Sequence, residues 1–163
     1  MKTALRKWAK EERKKYCCDS VLIEKLIETE EYKLAKNIMI FYPLKDEVNL
    51  LPILKDKTKN FYLPKIDGKN LLCCPYSEGD ELCESCFKTK EPKASNAINP
   101  DMVIVPALAV DKNNYRLGYG GGFYDRFLAH QNCKTIVCIP HQLVVETVYP
   151  EEFDVPVDKV ITD

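Results

Sequence analysis

Four of the chain's six glycines fall within Gly118-Tyr-Gly-Gly-Gly122, and that crowding restricts the local fold more than any other stretch. An apolar run, Met102-Val-Ile-Val-Pro-Ala-Leu-Ala-Val110, lies before it. Phe123-Tyr-Asp-Arg-Phe-Leu-Ala-His130 follows with the pattern of a short helix. The order is strand, loop of little side-chain bulk, helix N-terminus. Without a Cβ, backbone N–H groups can converge on a ligand and φ can turn positive, so a loop of this kind opening a helix makes an anion site. Phosphate is the anion it suits.

Neither standard phosphate fingerprint fits. A dinucleotide loop needs glycine where this chain has Phe123, and the Gly-Lys-Ser/Thr of a P-loop is absent. Arg116 and Arg126 flank the loop and supply positive charge. Asp125 works the other way, because a carboxylate in the first helical turn repels a bound phosphate unless a divalent cation lies between them. Magnesium carried with a polyphosphate reconciles the two, since Mg²⁺ is held by one or two carboxylates plus phosphate oxygens. The plain alternative is a glycine-rich surface turn in which Asp125 only complements the helix terminus.

The 163 residues, 45% of them hydrophobic, suffice for one compact unit with a real core, and a single domain over residues 1–163 is expected. A net charge of −1 gives no general attraction for nucleic acid or a membrane surface, so any anion site must be local. No apolar run reaches the length of a transmembrane helix, and the first residues lack a hydrophobic signal core. Glu11 and Glu12 are out of place in a transit peptide, so a cytoplasmic location is the expectation. There the eight cysteines, at 17, 18, 73, 74, 83, 86, 133 and 138, stay reduced. Zinc needs two well-spaced pairs, and Cys83-Glu-Ser-Cys86 supplies one; the expected roles are small buried residues and loop thiols.

Met1 to about Tyr16 reads as a helix with a narrow apolar stripe of Leu5, Trp8 and Ala9. Lys2, Arg6, Lys10 and Lys14 recur along it, with Arg13 beside them and Lys7–Glu11 as the clear compensating pair. Such a ridge is either a solvated face or a hold for an anionic ligand. A second helix, capped at Asp19 or Ser20, runs to about Ala35 with Val21, Leu22, Ile23, Leu26, Ile27 and Leu34 as its buried side. Asn37–Phe41 is a short strand, and Leu50 to about Lys57 a helix. Phe61–Pro64 and Leu71–Pro75 are strands around a turn at Asp67-Gly68, and Tyr76–Asn99 fades into loop. Thr135–Ile139 and Lys159–Thr162 close the pattern. Strands alternating with helices indicate an α/β sandwich. Asp46, Glu47 and Asn49 follow a strand's C-terminus, where open α/β sheets bind ligands.

At this point the residues resemble a known family, 5-formyltetrahydrofolate cyclo-ligase, also called 5,10-methenyltetrahydrofolate synthetase. The resemblance rests on Asp101–Asp111, on Tyr115-Arg-Leu-Gly-Tyr-Gly-Gly-Gly-Phe-Tyr-Asp-Arg-Phe127 and on Phe153-Asp-Val-Pro-Val-Asp-Lys-Val-Ile-Thr162. Lys2-Thr-Ala-Leu-Arg6 and Tyr42-Pro-Leu-Lys-Asp-Glu-Val-Asn49 extend it to the other end, while the stretch from about Asp67 to Ile98 matches weakly. It implies a three-layer α/β sandwich, a central mixed, mostly parallel sheet flanked by helices, like that of sugar-phosphate isomerases and CoA transferases. It also implies closure of 5-formyltetrahydrofolate, polyglutamylated or not, to 5,10-methenyltetrahydrofolate by a monomer, driven by ATP and Mg²⁺, without nucleic acid or membrane partners.

Residue by residue, the resemblance puts Lys2, Thr3, Ala4, Leu5 and Arg6 at the ATP phosphates. Arg116, Leu117, Gly118, Tyr119, Gly120, Gly121, Gly122, Phe123 and Tyr124 would cradle the triphosphate. Of these, Tyr119, Gly120, Gly121, Gly122 and Phe123 would also face the folate, with Leu44, Glu47 and Asn49 beside it. Asp125 and Asp154 match the magnesium carboxylates, with Asp158 a close rival for the second role. Arg116, Tyr124 and Asp125 are the expected catalytic set. Asn49 departs from the pattern, because many members carry an acid at or beside that position. The rival readings are an ATP-dependent ligase or kinase acting on another small heterocycle, and a folate- or nucleotide-binding module without turnover.

Overall fold

The computed structural model describes residues 1–163. The first half runs α1 (Lys2–Glu12), α2 (Asp19–Ile27), α3 (Glu30–Leu34), β1 (Asn37–Met39), β2 (Asn60–Asp67), β3 (Asn70–Pro75), β4 (Leu82–Glu84) and β5 (Lys90–Pro92). The second half runs β6 (Met102–Ile104), β7 (Ala109–Asp111), β8 (Arg116–Leu117), α4 (Phe123–Leu128), β9 (Lys134–Cys138), β10 (Val144–Val145) and β11 (Lys159–Ile161). Short 3-10 turns occupy Arg13–Lys15, Leu51–Lys55 and His141–Leu143.

Six strands form the central sheet in the order β11-β9-β6-β1-β2-β3, parallel throughout except for the β2–β3 hairpin. Successive side chains on a strand point to opposite faces, so a sheet covered on both sides needs apolar residues at every position. Ile38, Met102, Ile104, Ile136 and Cys138 enter one core, against α2, α3 and the Leu51–Lys55 turn. Their neighbours Met39, Val103, Val105, Val137 and Ile139 enter the other. That second face is covered by α1, α4 and a small sheet, β10-β7-β8. The result is the three-layer α/β sandwich, with one outer layer built partly from strands rather than from helices alone.

Three local expectations need correction. The helix expected to reach Ala35 is broken in two, because the Thr29 hydroxyl donates to the Leu26 carbonyl at 2.7 Å and accepts the Tyr32 N–H at 3.2 Å, ending α2 and capping α3. Only Leu22 and Leu26 of its expected buried side are fully buried; Val21, Ile27 and Leu34 are exposed. The apolar run from Met102 to Val110 is two strands in different sheets, parted at Pro106, which has no N–H to give a ladder. The stretch 76–99 is not all loop, since β4 and β5 pair in it as an antiparallel hairpin.

Adjacent Cys73 and Cys74 are both buried in β3, and burial pushes the Cys73 and Cys138 thiols up to about 12. These are packing residues that stay protonated at neutral pH. No helix is long and apolar enough to cross a membrane.

Candidate active site

The chain enters the glycine loop from β8, whose Leu117 is anchored in the core. At Gly120 φ is +104° and at Gly122 +69°, the first far from anything an L side chain adopts readily. A second constraint is contact. A Cβ at Gly118 would stand 2.8 Å from Arg116 Nη1, one at Gly122 2.8 Å from Arg126 Nη1, and one at Gly121 2.9 Å from the Phe123 ring. The Arg6 guanidinium lies over Gly120, 3.6 Å from where its Cβ would be. Gly120 is thus held to glycine by its φ, while Gly118 and Gly122 leave room for the Arg116 and Arg126 guanidinium groups and Gly121 for the Phe123 ring. The N–H groups of Gly118 through Asp125 meet no acceptor within the protein. A run of free donors beside guanidinium groups is an anion-binding arrangement.

α1 lies against this loop and presents its basic ridge to it. Arg6 Nε donates to the Gly118 carbonyl at 2.9 Å, and Lys2 Nζ donates to Asp154 Oδ2 at 2.8 Å and approaches Glu151 at 3.2 Å. Lys10 stands over the Tyr119 ring. The Lys2 and Arg6 end of the ridge is thus engaged, while Lys10 and Lys14 stay exposed. Burial acts to lower the Lys2 pKa, but its hydrogen bonds to Asp154 and Glu151 outweigh that and raise it. On the same helix Thr3 and Ala4 are exposed, while Leu5 packs into the core. Glu11 pairs with Lys14 at 2.9 Å rather than with Lys7.

Beneath the loop, the Arg116 side chain is only 5% exposed. Its Nη2 is 3.4 Å from Asp125 Oδ1, its guanidinium lies 5.4 Å from the centre of the Tyr124 ring, and its buried Nε has no partner. Burial pulls its pKa down from the guanidinium value, opposed by Asp125, Tyr124 and Asp154 in that order. Burial likewise pushes the Tyr124 hydroxyl up, with the Glu47 charge adding to it, so this tyrosine is a neutral phenol at working pH. Asp125 Oδ1 also accepts the Val155 N–H at 3.2 Å. Asp154 Oδ2 takes both Lys2 and the Glu151 N–H at 2.9 Å. Burial works against the Asp154 carboxylate, but the Lys2 hydrogen bond leads the effects that hold its pKa below the usual range.

These two carboxylates are the candidates for holding a divalent ion. Both act on the one Arg116 guanidinium, and each keeps one oxygen, Asp125 Oδ2 and Asp154 Oδ1, without a protein partner. No third carboxylate, histidine or cysteine joins them. Such a pair suits Mg²⁺, which takes one or two carboxylates and completes its shell with phosphate oxygens and water. Asp158 is placed otherwise, its Oδ2 accepting the Thr135 N–H at 2.9 Å and the hydroxyl at 3.1 Å. It ties β9 to the segment before β11.

The loop after β1 closes the other side. Glu47 Oε1 accepts the Leu44 N–H at 2.8 Å, and Glu47 Oε2 accepts the Tyr119 hydroxyl at 2.8 Å, joining this loop to the glycine loop. Arg13 Nη1 donates to the same Tyr119 oxygen at 2.6 Å, a link that no motif in the sequence signals. Asn49 Oδ1 accepts the Leu51 N–H at 3.0 Å, an Asx turn leading into the 3-10 turn, and its NH₂ is free for a ligand. Alongside, a cavity of about 190 Å³ opens at the C-terminal ends of β1 and β9, over Phe41, Val48, Ile139 and Leu143, with Arg13, Asp46 and Glu47 at its rim. Arg126 is spent elsewhere: its Nε and Nη2 both donate to the Lys69 carbonyl, at 2.8 and 2.6 Å. It pins the β2–β3 turn to the loop rather than facing a ligand.

Known proteins resemble the chain along nearly its whole length. A family model described as the 5-formyltetrahydrofolate cyclo-ligase family matches residues 1–163. The chain is 34% identical to the 5-formyltetrahydrofolate cyclo-ligase of Escherichia coli, over 79% of each chain. An NMR structure of Aquifex aeolicus 5,10-methenyltetrahydrofolate synthetase superposes with a TM-score of 0.86 at 28% identity, covering 99% of this chain and 89% of that one. A 5,10-methenyltetrahydrofolate synthetase from Mycoplasma pneumoniae, at 22% identity, shares the fold with a TM-score of 0.77 over 98% and 97% of the two chains.

Proposed function

The chain belongs to the 5-formyltetrahydrofolate cyclo-ligase family, and from that premise we propose that it uses ATP and Mg²⁺ to close 5-formyltetrahydrofolate to 5,10-methenyltetrahydrofolate, releasing ADP and phosphate. The observation that carries this reading is the run of free N–H groups from Gly118 to Asp125 between the Arg6 and Arg116 guanidinium groups, with two half-committed aspartates beside it. Residues 1–163 act as one catalytic unit, a cytoplasmic monomer with no nucleic-acid or membrane partner.

A formyl oxygen is a poor leaving group. Transfer of the γ-phosphoryl group to it breaks the bond to the bridging oxygen of ADP and gives an imino-phosphate. N10 then attacks the formyl carbon and loses its proton, and the formyl oxygen departs with the phosphate. Such a reaction needs positioning and charge neutralisation more than a nucleophilic side chain. Lys2, Arg6 and Arg116 balance the phosphate charge, and the N–H groups of the loop orient its oxygens. Thr3, Ala4 and Leu5 hold Lys2 and Arg6 in register on α1. Asp125 and Asp154 would hold Mg²⁺ through their uncommitted oxygens, and the bound ion supplies further neutralisation of the phosphates. Tyr124 supports Arg116 from below. Leu44, Glu47 and Asn49 meet the folate's heterocycle at the seam with Tyr119, Asn49 as a hydrogen-bond donor.

The first test is incubation with 5-formyltetrahydrofolate, ATP and Mg²⁺ while methenyl absorbance and ADP are followed. Product that requires all three supports the reading. Folate and ATP binding without product points to a binding module, and ATP use only with another heterocycle points to a retuned ligase. A second test separates the two substrates. Because Arg6 touches Gly118 and Gly120 from α1, Arg6→Ala is expected to raise the KM for ATP about tenfold and that for folate no more than about twofold. Equal rises would remove Arg6 from the phosphate site.

A further inference from the structure

The β4–β5 hairpin falls in the stretch where the family resemblance is weakest, yet its tip reaches the glycine loop. The Phe87 and Phe123 rings meet edge to face, their centres 5.6 Å apart and their planes at 72°. Phe123 is already partly covered. Gly121 lies against its ring, and the Arg126 guanidinium stands 5.0 Å from its centre. Phe87, by contrast, is 60% exposed. At this edge of the loop, Phe87 offers the larger open aromatic surface.

The hairpin holds that ring in place from both ends. At the tip, Ser85 Oγ accepts the N–H groups of Phe87 and Thr89, each at 3.2 Å, while the Ser85 N–H reaches the Thr89 carbonyl at 2.8 Å. At the root, Glu91 accepts the Ile66 N–H of β2 at 3.1 Å, and Lys65 Nζ donates to the Lys93 and Ala94 carbonyls at 3.0 and 3.3 Å. A knotted tip on a tied root is an ordered strap. An ordered exposed phenyl ring at the wall of a site for a planar aromatic molecule loses unfavourable hydration when such a ring docks on it.

We propose that Phe87 is a substrate-contacting residue, held by the β4–β5 strap against Phe123 so that its open face covers a planar ring of the bound folate. This rests on the cyclo-ligase reading of the site. Phe87→Ala is expected to raise the KM for 5-formyltetrahydrofolate about tenfold, with the KM for ATP changed less than about twofold and the melting temperature unmoved, and Phe87→Trp to restore most of the loss. An unchanged folate KM, or an equal rise in both KM values, overturns the contact. If the wild-type protein shows no turnover, the cyclo-ligase reading fails, and equilibrium dialysis with 5-formyltetrahydrofolate still decides on Phe87. Weaker binding to F87A then supports the contact, and equal binding overturns it.

Discussion

Asp125→Asn is expected to lower kcat about a thousandfold, roughly 4 kcal/mol of transition-state stabilisation, in a protein that still folds. The substitution is nearly isosteric. The amide oxygen can keep the Val155 N–H, now accepted at 3.2 Å, so the segment leading to β11 stays attached. What is lost is charge. Asp125 faces Arg116 Nη2 at 3.4 Å and keeps its other oxygen without a protein partner, so the variant removes both a partner of a buried guanidinium and half of the carboxylate pair. The two losses separate experimentally. If Asp125 holds Mg²⁺, the concentration of Mg²⁺ needed for half-maximal rate rises steeply. If it serves Arg116 alone, the melting temperature falls while the Mg²⁺ dependence stays put. Near-normal turnover would remove Asp125 from the catalytic set altogether.

How much of this was legible in the sequence depends on how far apart the interacting residues lie. The glycine cluster was readable from its own crowding, and part of what it accommodates is local: Gly118 lies two residues from Arg116 and Gly122 four from Arg126, whose guanidinium groups fill the space a Cβ would take, whereas Arg6 reaches Gly120 from α1. The basic ridge of α1 was readable as a conflict, since like charges at helical spacing are costly without a reason. The reason, the loop lying 112 residues on, was not in the spacing. An α/β sandwich was readable from strands alternating with helices, and its three layers from the family resemblance; strands buried on both faces, Met102–Val105 and Thr135–Ile139, bear it out.

The unread parts share one physical character. Tyr119 and Glu47 were expected at the folate, but the chain of hydrogen bonds that joins them to each other and to Arg13 spans sequence separations of 106 and 72 residues, and nothing in the spacing links the three. The β4 and β5 strands are three residues each, with charged and cysteine side chains and no alternation to betray them, so Phe87 reads as a loop residue. The Thr29 break is a cap inside a helical pattern, visible only once Tyr32 must face the core. In each case tertiary packing settles what propensity leaves open.

The second large effect is expected at Arg116. Arg116→Ala should lower kcat/KM for ATP about a thousandfold, the scale on which a guanidinium stabilises phosphoryl transfer. Stability should also fall, because Asp125 loses its ion partner in a site where its side chain is 22% exposed; after allowance for solvent screening the cost is about 2 kcal/mol, or roughly 5 °C in melting temperature. Arg116→Lys sharpens the test. Lysine keeps the positive charge but cannot fill the guanidinium's place beside the Tyr124 ring and Gly118, and a point charge makes no planar fork for a phosphate. It should therefore recover most of the melting temperature and little of the rate. If Arg116→Lys instead regained near wild-type turnover, the site would need only a charge at that position, and the packing of the guanidinium on the loop would be architecture rather than catalysis. If both variants lost stability alone and bound ATP normally, Arg116 would hold Asp125 and the loop in place without touching the nucleotide.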